Sequence, residues 1–169
     1  MEAVLAPEER VMGRAGEGDF SSWVRPHVPA MQRLAARLVD AGEADDVVQE
    51  ALVRAWRRWS TYDEGRGAPA GWLLAIVADR ARRHRTRTRV PGPVARDEDA
   101  AAPDATPDLD LERAIVQLSG RQRTAVELYY FVGADVTTCA QAMGCAEGTV
   151  RATLHHARGR LRELMGDER

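Results

Sequence analysis

Residues 135–162 read DVTTCAQAMGCAEGTVRATLHHARGRLR, two helical patterns that meet at a turn around Gly144. The second pattern carries an apolar stripe and, beside it, a basic stripe at the same helical spacing. This layout, after a short helix and a glycine turn, is typical of a helix-turn-helix recognition helix. The stretch therefore predicts helical structure and contact with DNA. The apolar stripe contains Val150, Leu154, Ala157, Leu161 and Leu164, and the basic stripe contains Arg151, His155, Arg158 and Arg162.

Charge is unevenly distributed along a chain that is almost neutral overall. The 169 residues carry a formal net charge of −2, and all 24 basic residues are arginines. Six arginines and no acid lie between residues 80 and 89, whereas seven acids and no base lie between residues 97 and 112. A near-neutral total is therefore compatible with a nucleic-acid partner, because local clusters decide where a polyanion binds.

The sequence disfavours several classes of protein. It has no apolar run of membrane-spanning length and no signal-peptide pattern, so we expect a cytoplasmic protein without membrane insertion. We expect Cys139 and Cys145 to be buried and reduced, although a redox role for them stays open. Two thiols alone do not make a metal site, so we expect no metal and no cofactor. Because the chain shows no nucleophile–base constellation, we do not expect an enzyme.

The helical patterns form two groups on either side of a segment rich in proline and acidic residues. No alternating strand pattern occurs, so the sequence predicts an all-α fold of two small helical domains joined by a flexible linker. We expect a mobile lead at residues 1–18, domains at 19–89 and 109–169, and the linker at 90–108. Helices are predicted over residues 19–40 with a break near Arg25 and Pro26, and over 43–59, 69–87, 109–118, 121–132, 135–143 and 146–165, with Ser119 and Asp135 as N-caps.

The helix predicted over residues 43–59 has an apolar face and a separate polar stripe. Asp46, Gln49, Glu50 and Val53 follow the spacing i, i+3, i+4 and i+7, which places them on one side of the helix. This stripe is either an ordinary solvated face or a surface that docks a basic partner helix. The other face is expected to pack through Val47, Val48, Ala51, Leu52, Ala55, Trp56 and Trp59.

Three stretches together resemble a known family. They are GEADDVVQEALVRAWRRW at residues 42–59, GWLLAIVADRARRHRTR at 71–87, and LSGRQRTAVELYYFVGADVTTCAQAMGCAEGTVRATLHHARGRLREL at 118–164. In this order and separation they resemble the extracytoplasmic-function (ECF) sigma factors of bacteria. The resemblance implies that the first domain is a sigma region-two helical bundle and that the second is a sigma region-four helix-turn-helix domain.

The resemblance implies contacts for the first domain. Asp46, Gln49, Glu50 and Val53 would dock on the clamp helices of the largest RNA polymerase subunit, while Trp56 and Trp59 would pack between helices. The loop 64–69 and the helix from Gly71 would melt and read the −10 promoter element. The implied DNA contacts are Arg66, Asp79, Arg80, Arg82, Arg83 and Arg85.

The second domain would read the −35 element through the helix predicted at residues 146–165. Arg151 is the best candidate to read a guanine edge, because a guanidinium group can bond the guanine O6 and N7 atoms together. The implied contact residues are Thr149, Arg151, Ala152, Thr153, His155, His156 and Arg158.

The sequence departs from the family pattern at three places. Asp79 stands where many relatives have Asn, and a carboxylate only accepts hydrogen bonds and repels phosphate. Our hypothesis is that Asp79 changes or weakens base choice at the −10 element. Thr137 and Thr138 replace an acidic pair. Thr153 and His155 replace residues that are often Arg and bulky, so a relative's −35 preference does not transfer directly.

The sequence therefore favours a sigma factor that binds core RNA polymerase and directs it to promoters through −10 and −35 elements. The implied partners are the largest and second-largest polymerase subunits, promoter DNA and an anti-sigma factor. The alternative is a stand-alone helix-turn-helix regulator that binds an operator and dimerises through its N-terminal helices. The polar stripe and the arginine-rich third helix discriminate between them, because a simple regulator needs neither.

Overall fold

The computed structural model describes residues 17–88 and 107–166. All regular structure in these ranges is helical, as the sequence predicts. The predicted lead at 1–18 and linker at 90–108 lie almost entirely outside the described residues. The helices are α1 (Glu17–Val24), α2 (Val28–Leu38), α3 (Ala44–Arg58), α4 (Pro69–Thr88), α5 (Pro107–Val116), α6 (Gly120–Val126), α7 (Val136–Met143) and α8 (Glu147–Leu164).

The first half is a bundle of α2, α3 and α4, with α1 leading into it. The predicted break between the first two helices is confirmed, because a 3₁₀ turn at Arg25–His27 carries Pro26 near its start. Proline lacks the N–H that a continuous helix would need there. The core of the bundle consists of apolar side chains that are almost completely shielded from solvent. Met31, Leu34, Val47, Ala51, Leu73 and Val77 have at most 1% of their surface exposed.

The second half is built from short helices with well-formed ends. Ser119 and Gln122 form a capping box at the start of α6, and the side chain of Asp135 accepts from the N–H of Thr138 at the start of α7. Both predicted N-caps are therefore confirmed. Gly144 ends α7 with a φ of 62°, a left-handed conformation that glycine adopts without strain. This turn sets the angle between α7 and α8.

The chain from α6 to α7 passes through a π-helical turn, Glu127–Val132. Glu127 and Leu128 in this turn are fully buried, whereas Tyr129 and Tyr130 are exposed. The sequence predicts one helix over residues 121–132, and the extra residue of the π-turn shifts which side chains face inward. Glu127 is the buried charged residue among the described residues.

The two halves pack directly against each other. Helix α4 of the first half contacts α7 of the second, and α2 contacts the π-turn. The buried apolar residues of both halves form one continuous cluster. The two-domain prediction did not include this contact, because helical periodicity shows which face is buried but not what buries it.

Two details of the helix ends and faces differ from the sequence predictions. Helix α5 begins at Pro107 rather than at residue 109, and proline suits the first position of a helix because its missing N–H has no partner there. Trp56 is 48% exposed and is not a core residue of α3.

Among the described residues, no helix is both long and apolar enough to cross a membrane.

Candidate nucleic-acid interface

The polar stripe of α3 forms an exposed surface, as its spacing predicts. Asp46, Gln49 and Glu50 are exposed, and Val53 is 48% exposed. Trp56 extends the surface by one turn, because it follows Val53 at i+3. The surface is therefore acidic at the start of α3 and apolar toward its end. Spacing alone does not decide the face of Trp56, because it also follows the core-side residue Leu52 at i+4.

Arg80 on α4 points toward α3 instead of into solvent. Its side chain is only 17% exposed, and its Nη1 atom lies 3.7 Å from Oε2 of Glu50. A predicted DNA contact and a predicted polymerase contact thus lie beside each other. This geometry favours a role for Arg80 in joining α3 to α4 over a direct phosphate contact.

The Asp79 carboxylate is held by two arginines of its own helix. Arg82 Nη2 donates to Oδ1 at 2.6 Å, and Arg83 Nε lies 3.0 Å from Oδ2. Asp79 is 22% exposed, whereas the side chains of Arg82 and Arg83 are 71% and 54% exposed. The acid therefore positions two guanidinium groups on the surface, which moderates its repulsion of phosphate.

The N-terminal end of α4 lies beside a cluster of aromatic rings. Trp23 contacts Tyr62 and Trp72 with ring centroids 5.1 and 6.1 Å apart, and the Tyr62 hydroxyl donates to the Gly67 carbonyl at 2.9 Å. An open cavity of about 600 Å³ borders Trp23, Trp59 and residues 60–64. Aromatic faces of this kind can stack unpaired bases.

Arg66 lies in the loop between this cluster and α4. Its side chain is 87% exposed, and its Nε atom is 3.8 Å from Asp63 Oδ2. Asp63 also caps the 3₁₀ turn Glu64–Arg66 by accepting from the N–H of Gly65. The loop is thus held locally, and the guanidinium group of Arg66 remains open to a ligand.

Helix α8 presents the predicted basic face. Arg151, His155, Arg158 and Arg162 are exposed, while Val150, Leu154 and Ala157 are buried. Of the other predicted −35 residues, Thr149, Ala152 and His156 are exposed. Thr153 is half-buried, and its hydroxyl donates to the Thr149 carbonyl at 2.7 Å. Because that proton is already used within the helix, Thr153 is a weaker candidate for base contact.

A short chain of hydrogen bonds joins the two helices of the helix-turn-helix. Thr137 on α7 donates to Glu147 at 2.7 Å, and Arg151 donates to the other carboxylate oxygen of Glu147 at 2.9 Å. The bond from Thr137 and then that from Arg151 lower the pKa of Glu147. Glu147 therefore orients Arg151. The i, i+4 spacing of these two residues is the signal that the sequence offered.

The two cysteines lie in different surroundings. Cys139 is fully buried on α7, and burial raises the pKa of its thiol to about 11. Cys145, in the turn, is half-buried. In the ranges that the structure covers, no group of three or more His, Cys, Asp or Glu side chains could hold a metal ion.

Comparison with known proteins identifies the family to which both halves of the chain are similar. The family model Sigma-70 region 2 matches residues 17–90, and Sigma-70, region 4 matches residues 108–161. The ECF RNA polymerase sigma factor SigL of Mycobacterium tuberculosis is 32% identical over 146 residues, covering 80% of this chain and 82% of the relative. The chain belongs to the ECF sigma factors. The RNA polymerase sigma-E factor of Streptomyces coelicolor is 33% identical, covering 86% of this chain and 85% of the relative.

Solved structures share the fold of this sigma factor. The sigma factor RpoE in complex with the anti-sigma factor NepR, from Bartonella quintana, has a TM-score of 0.65 and 26% identity. The alignment covers 89% of this chain and 99% of that chain. CnrH in complex with the cytosolic domain of CnrY has a TM-score of 0.68 and 22% identity, with 92% of each chain covered. The second likeness concerns the fold alone.

The burial of Cys139 predicts that it is chemically inert in the folded sigma factor. With a pKa of about 11, only about one thiol in a thousand is ionised at pH 8, and the thiolate is the reactive form. Iodoacetamide at pH 8 should alkylate Cys145 well before Cys139, as followed by mass spectrometry of peptides. In denaturant the two rates should converge. Equal rates in the native protein would contradict the prediction and restore a redox role for Cys139.

Proposed function

We propose that this sigma factor binds core RNA polymerase through α3 and directs transcription initiation by placing α4 at the −10 element and α8 at the −35 element. The observation that carries the proposal is the presence of two separate basic surfaces, one in each half, together with the acidic and apolar surface of α3. The predicted domain extents, 19–89 and 109–169, are part of this proposal.

The α3 surface suits a protein partner better than DNA. Asp46 and Glu50 would repel phosphate, whereas Val53 and Trp56 expose apolar area that a protein partner can bury. A partner helix with basic residues would complement both parts of this surface. We assign the surface to the largest polymerase subunit, and we assign other contacts of the sigma factor to the second-largest subunit.

The −10 surface combines charge with aromatic rings. Arg66, Arg82 and Arg83 are exposed near the head and along the side of α4, where phosphate contacts would supply affinity without reading sequence. Asp79 would act on base choice through the two arginines that it holds. Arg85 belongs to the same proposed surface and is half-buried.

The stand-alone regulator is the weaker candidate. Family models match both halves of the chain, including the half that lacks the helix-turn-helix. An operator-binding regulator would not need the α3 surface.

An anti-sigma partner completes the proposal. The RpoE structure that this chain resembles holds the anti-sigma factor NepR, and we propose a regulator of the same kind for this sigma factor. We also propose that the protein acts in the cytoplasm and by binding, without a catalytic step.

Asp46 tests the polymerase contact. Replacing Asp46 with Arg reverses one charge on the α3 surface, so we expect core binding to fall by at least about tenfold because like charges meet in the interface. In run-off transcription with core polymerase across a randomised promoter library, the transcription that wild type drives from defined −10 and −35 pairs should disappear in this variant. Asp45→Arg is the matched control, since Asp45 is also exposed in the first turn but points about 100° away. Equal loss in both variants, or none in either, would refute the assignment.

Asp79 tests base choice at the −10 element. An Asp79→Asn change removes the charge that holds Arg82 and Arg83, and it supplies an amide that both donates and accepts. We expect a changed base preference or stronger melting at the −10 element, measured by permanganate footprinting on the same library. The control is Asp110→Asn, which loosens an i, i+3 pair with Arg113 in the other half. Unchanged preference and melting in Asp79→Asn would contradict the hypothesis.

Arg151 tests the −35 contact. Replacing Arg151 with Ala should weaken promoter binding by about 1–3 kcal/mol and relax the preference at one base pair, because a bidentate guanine contact is lost. Arg160→Ala is the control, since Arg160 is exposed on α8 and pairs with Glu163 away from the basic stripe. Binding measured on promoters that vary only at the −35 element should separate the two variants. Similar affinity and preference in both would remove Arg151 from the assignment.

A further inference from the structure

We propose that Arg54 on α3 and Arg83 on α4 together bind one phosphate group of the displaced DNA strand at the −10 element. Arg54 lies outside the DNA contacts that the sequence implies, so this phosphate site spans two helices and adds a residue to the DNA surface. The proposal rests on the proposed function, because it concerns the same −10 surface of α4. It also gives α3 a second role besides docking on polymerase.

Helices α3 and α4 lie side by side and run in opposite directions. Glu50 of α3 lies 3.7 Å from Arg80 of α4. Glu43, two turns earlier on α3, lies 3.0 Å from His84, one turn later on α4. Arg54 follows Glu50 by one turn of α3, so it lies beside the part of α4 that comes just before Arg80.

Arg54 is half-buried, and no carboxylate that the structure describes forms an ion pair with it. Glu50, four residues earlier, is its ordinary partner on the helix, but the Glu50 carboxylate faces Arg80 instead. Both oxygens of Asp79 are engaged by arginines of α4, at 2.6 and 3.0 Å. The two acids beside Arg54 therefore neutralise other side chains.

Positive charge accumulates around Arg54. Burial lowers the pKa of Arg54 from its usual value, and the charges of three other arginines lower it further, while Asp79 opposes them. The three are Arg80, Arg58 and Arg83. A partly desolvated cation among like charges is unfavourable unless an anion joins it, and proteins keep such groups mainly where they bind or react. The arrangement therefore favours an anionic ligand at Arg54.

Arg83 supplies the second half of the phosphate site. Its Nε atom lies 3.0 Å from Asp79, and 54% of its side chain is exposed. Contact through Nε directs the two Nη groups of the guanidinium fork away from Asp79, where they can donate to a ligand. Arg54 and Arg83 lie close enough to act on each other electrostatically. A phosphate placed between them would accept hydrogen bonds from both.

Arg80 supports the site without contacting the ligand. Its side chain is 17% exposed, and its Nε atom is buried with no hydrogen-bond partner among the described residues. It is too deeply covered to reach a phosphate, but its charge acts on Arg54. By facing Glu50, Arg80 also keeps that carboxylate from neutralising Arg54.

The position of the site indicates the source of the phosphate. Asp79, which acts on Arg54, belongs to the surface proposed to read the −10 element. A DNA strand carries one phosphate for each nucleotide, so a strand read at Asp79 brings phosphates close to Arg54. Guanidinium groups match phosphate in both charge and geometry. Such a contact would position the strand without reading its sequence.

Arg54→Met tests the site because it removes the charge and keeps a long side chain that covers the same surface of α3. The change also removes repulsion from neighbouring arginines, so the melting temperature by circular dichroism should equal or exceed that of the wild type. Arg33→Met is the matched control, since it removes an exposed arginine from α2. Arg54→Lys keeps the charge and loses the forked donor.

The measurement is the affinity of holoenzyme, formed with saturating sigma factor, for promoter DNA whose displaced −10 strand is already unpaired. We expect Arg54→Met to bind about tenfold more weakly at low salt and equally so for all −10 sequences, because a charge-assisted phosphate contact is lost. The slope of log affinity against log salt should shrink by about 0.7, the contribution of one phosphate in a single strand. Arg54→Lys should retain most of the slope, and Arg33→Met should match the wild type.

Uncharged methylphosphonates, substituted one at a time for phosphates of the displaced strand, locate the contact. In the wild type, one such substitution should weaken binding by about tenfold. In Arg54→Met the same substitution should have little further effect, because the two changes remove one shared contact. Additive losses at every phosphate, or an unchanged affinity and salt slope in Arg54→Met, would overturn the proposal.

Inorganic phosphate distinguishes a free ligand from the DNA strand. If millimolar phosphate raised the melting temperature of wild-type sigma factor but not of Arg54→Met, and no phosphate of the strand depended on Arg54, the site would belong to free phosphate and the DNA assignment would be wrong. Wild-type holoenzyme that failed to bind the promoter would refute the proposed function and this site with it. Equal binding by wild type and Arg54→Met would refute this site alone.

Discussion

The ion pair between Arg37 and the buried carboxylate of Glu127 fixes how the two halves of the molecule meet. Burial raises the pKa of Glu127, and the hydrogen bond and charge of Arg37, with the charge of Arg123, oppose that rise. The π-turn that carries Glu127 packs against α2, and Phe131 in the same turn lies beneath the guanidinium group. The contact between α4 and α7 lies in the same interface between the two halves.

Within each half, several charged side chains of the proposed binding surfaces already form ion pairs with one another. Asp79 holds Arg82 and Arg83, Glu50 draws Arg80 toward α3, and Glu147 holds Arg151. Each acid reduces local repulsion among arginines and fixes the direction of a guanidinium group. The surfaces proposed to bind DNA are therefore arranged in advance, which lowers the entropy lost when DNA binds.

The helices were predictable because their signals are local. Apolar periodicity located α2, α3, α4 and α8, and the caps at Ser119 and Asp135 depend on hydrogen bonds to residues three positions along the chain. The prediction for Trp56 was wrong for a reason of the opposite kind. Its position on α3 borders both faces, and only the placement of neighbouring helices decides which of the two is covered.

By itself the sequence determined the helical class, the order of the helices and the family, because these follow from patterns that span a few turns or from motifs in a fixed order. It also determined which face of α8 is basic and exposed. The tertiary structure alone decided the partners of Arg37, the burial of Glu127 and the approach of Gln141 to Gly71. These contacts join residues about 70 to 90 positions apart, and no local pattern encodes a pairing over that distance.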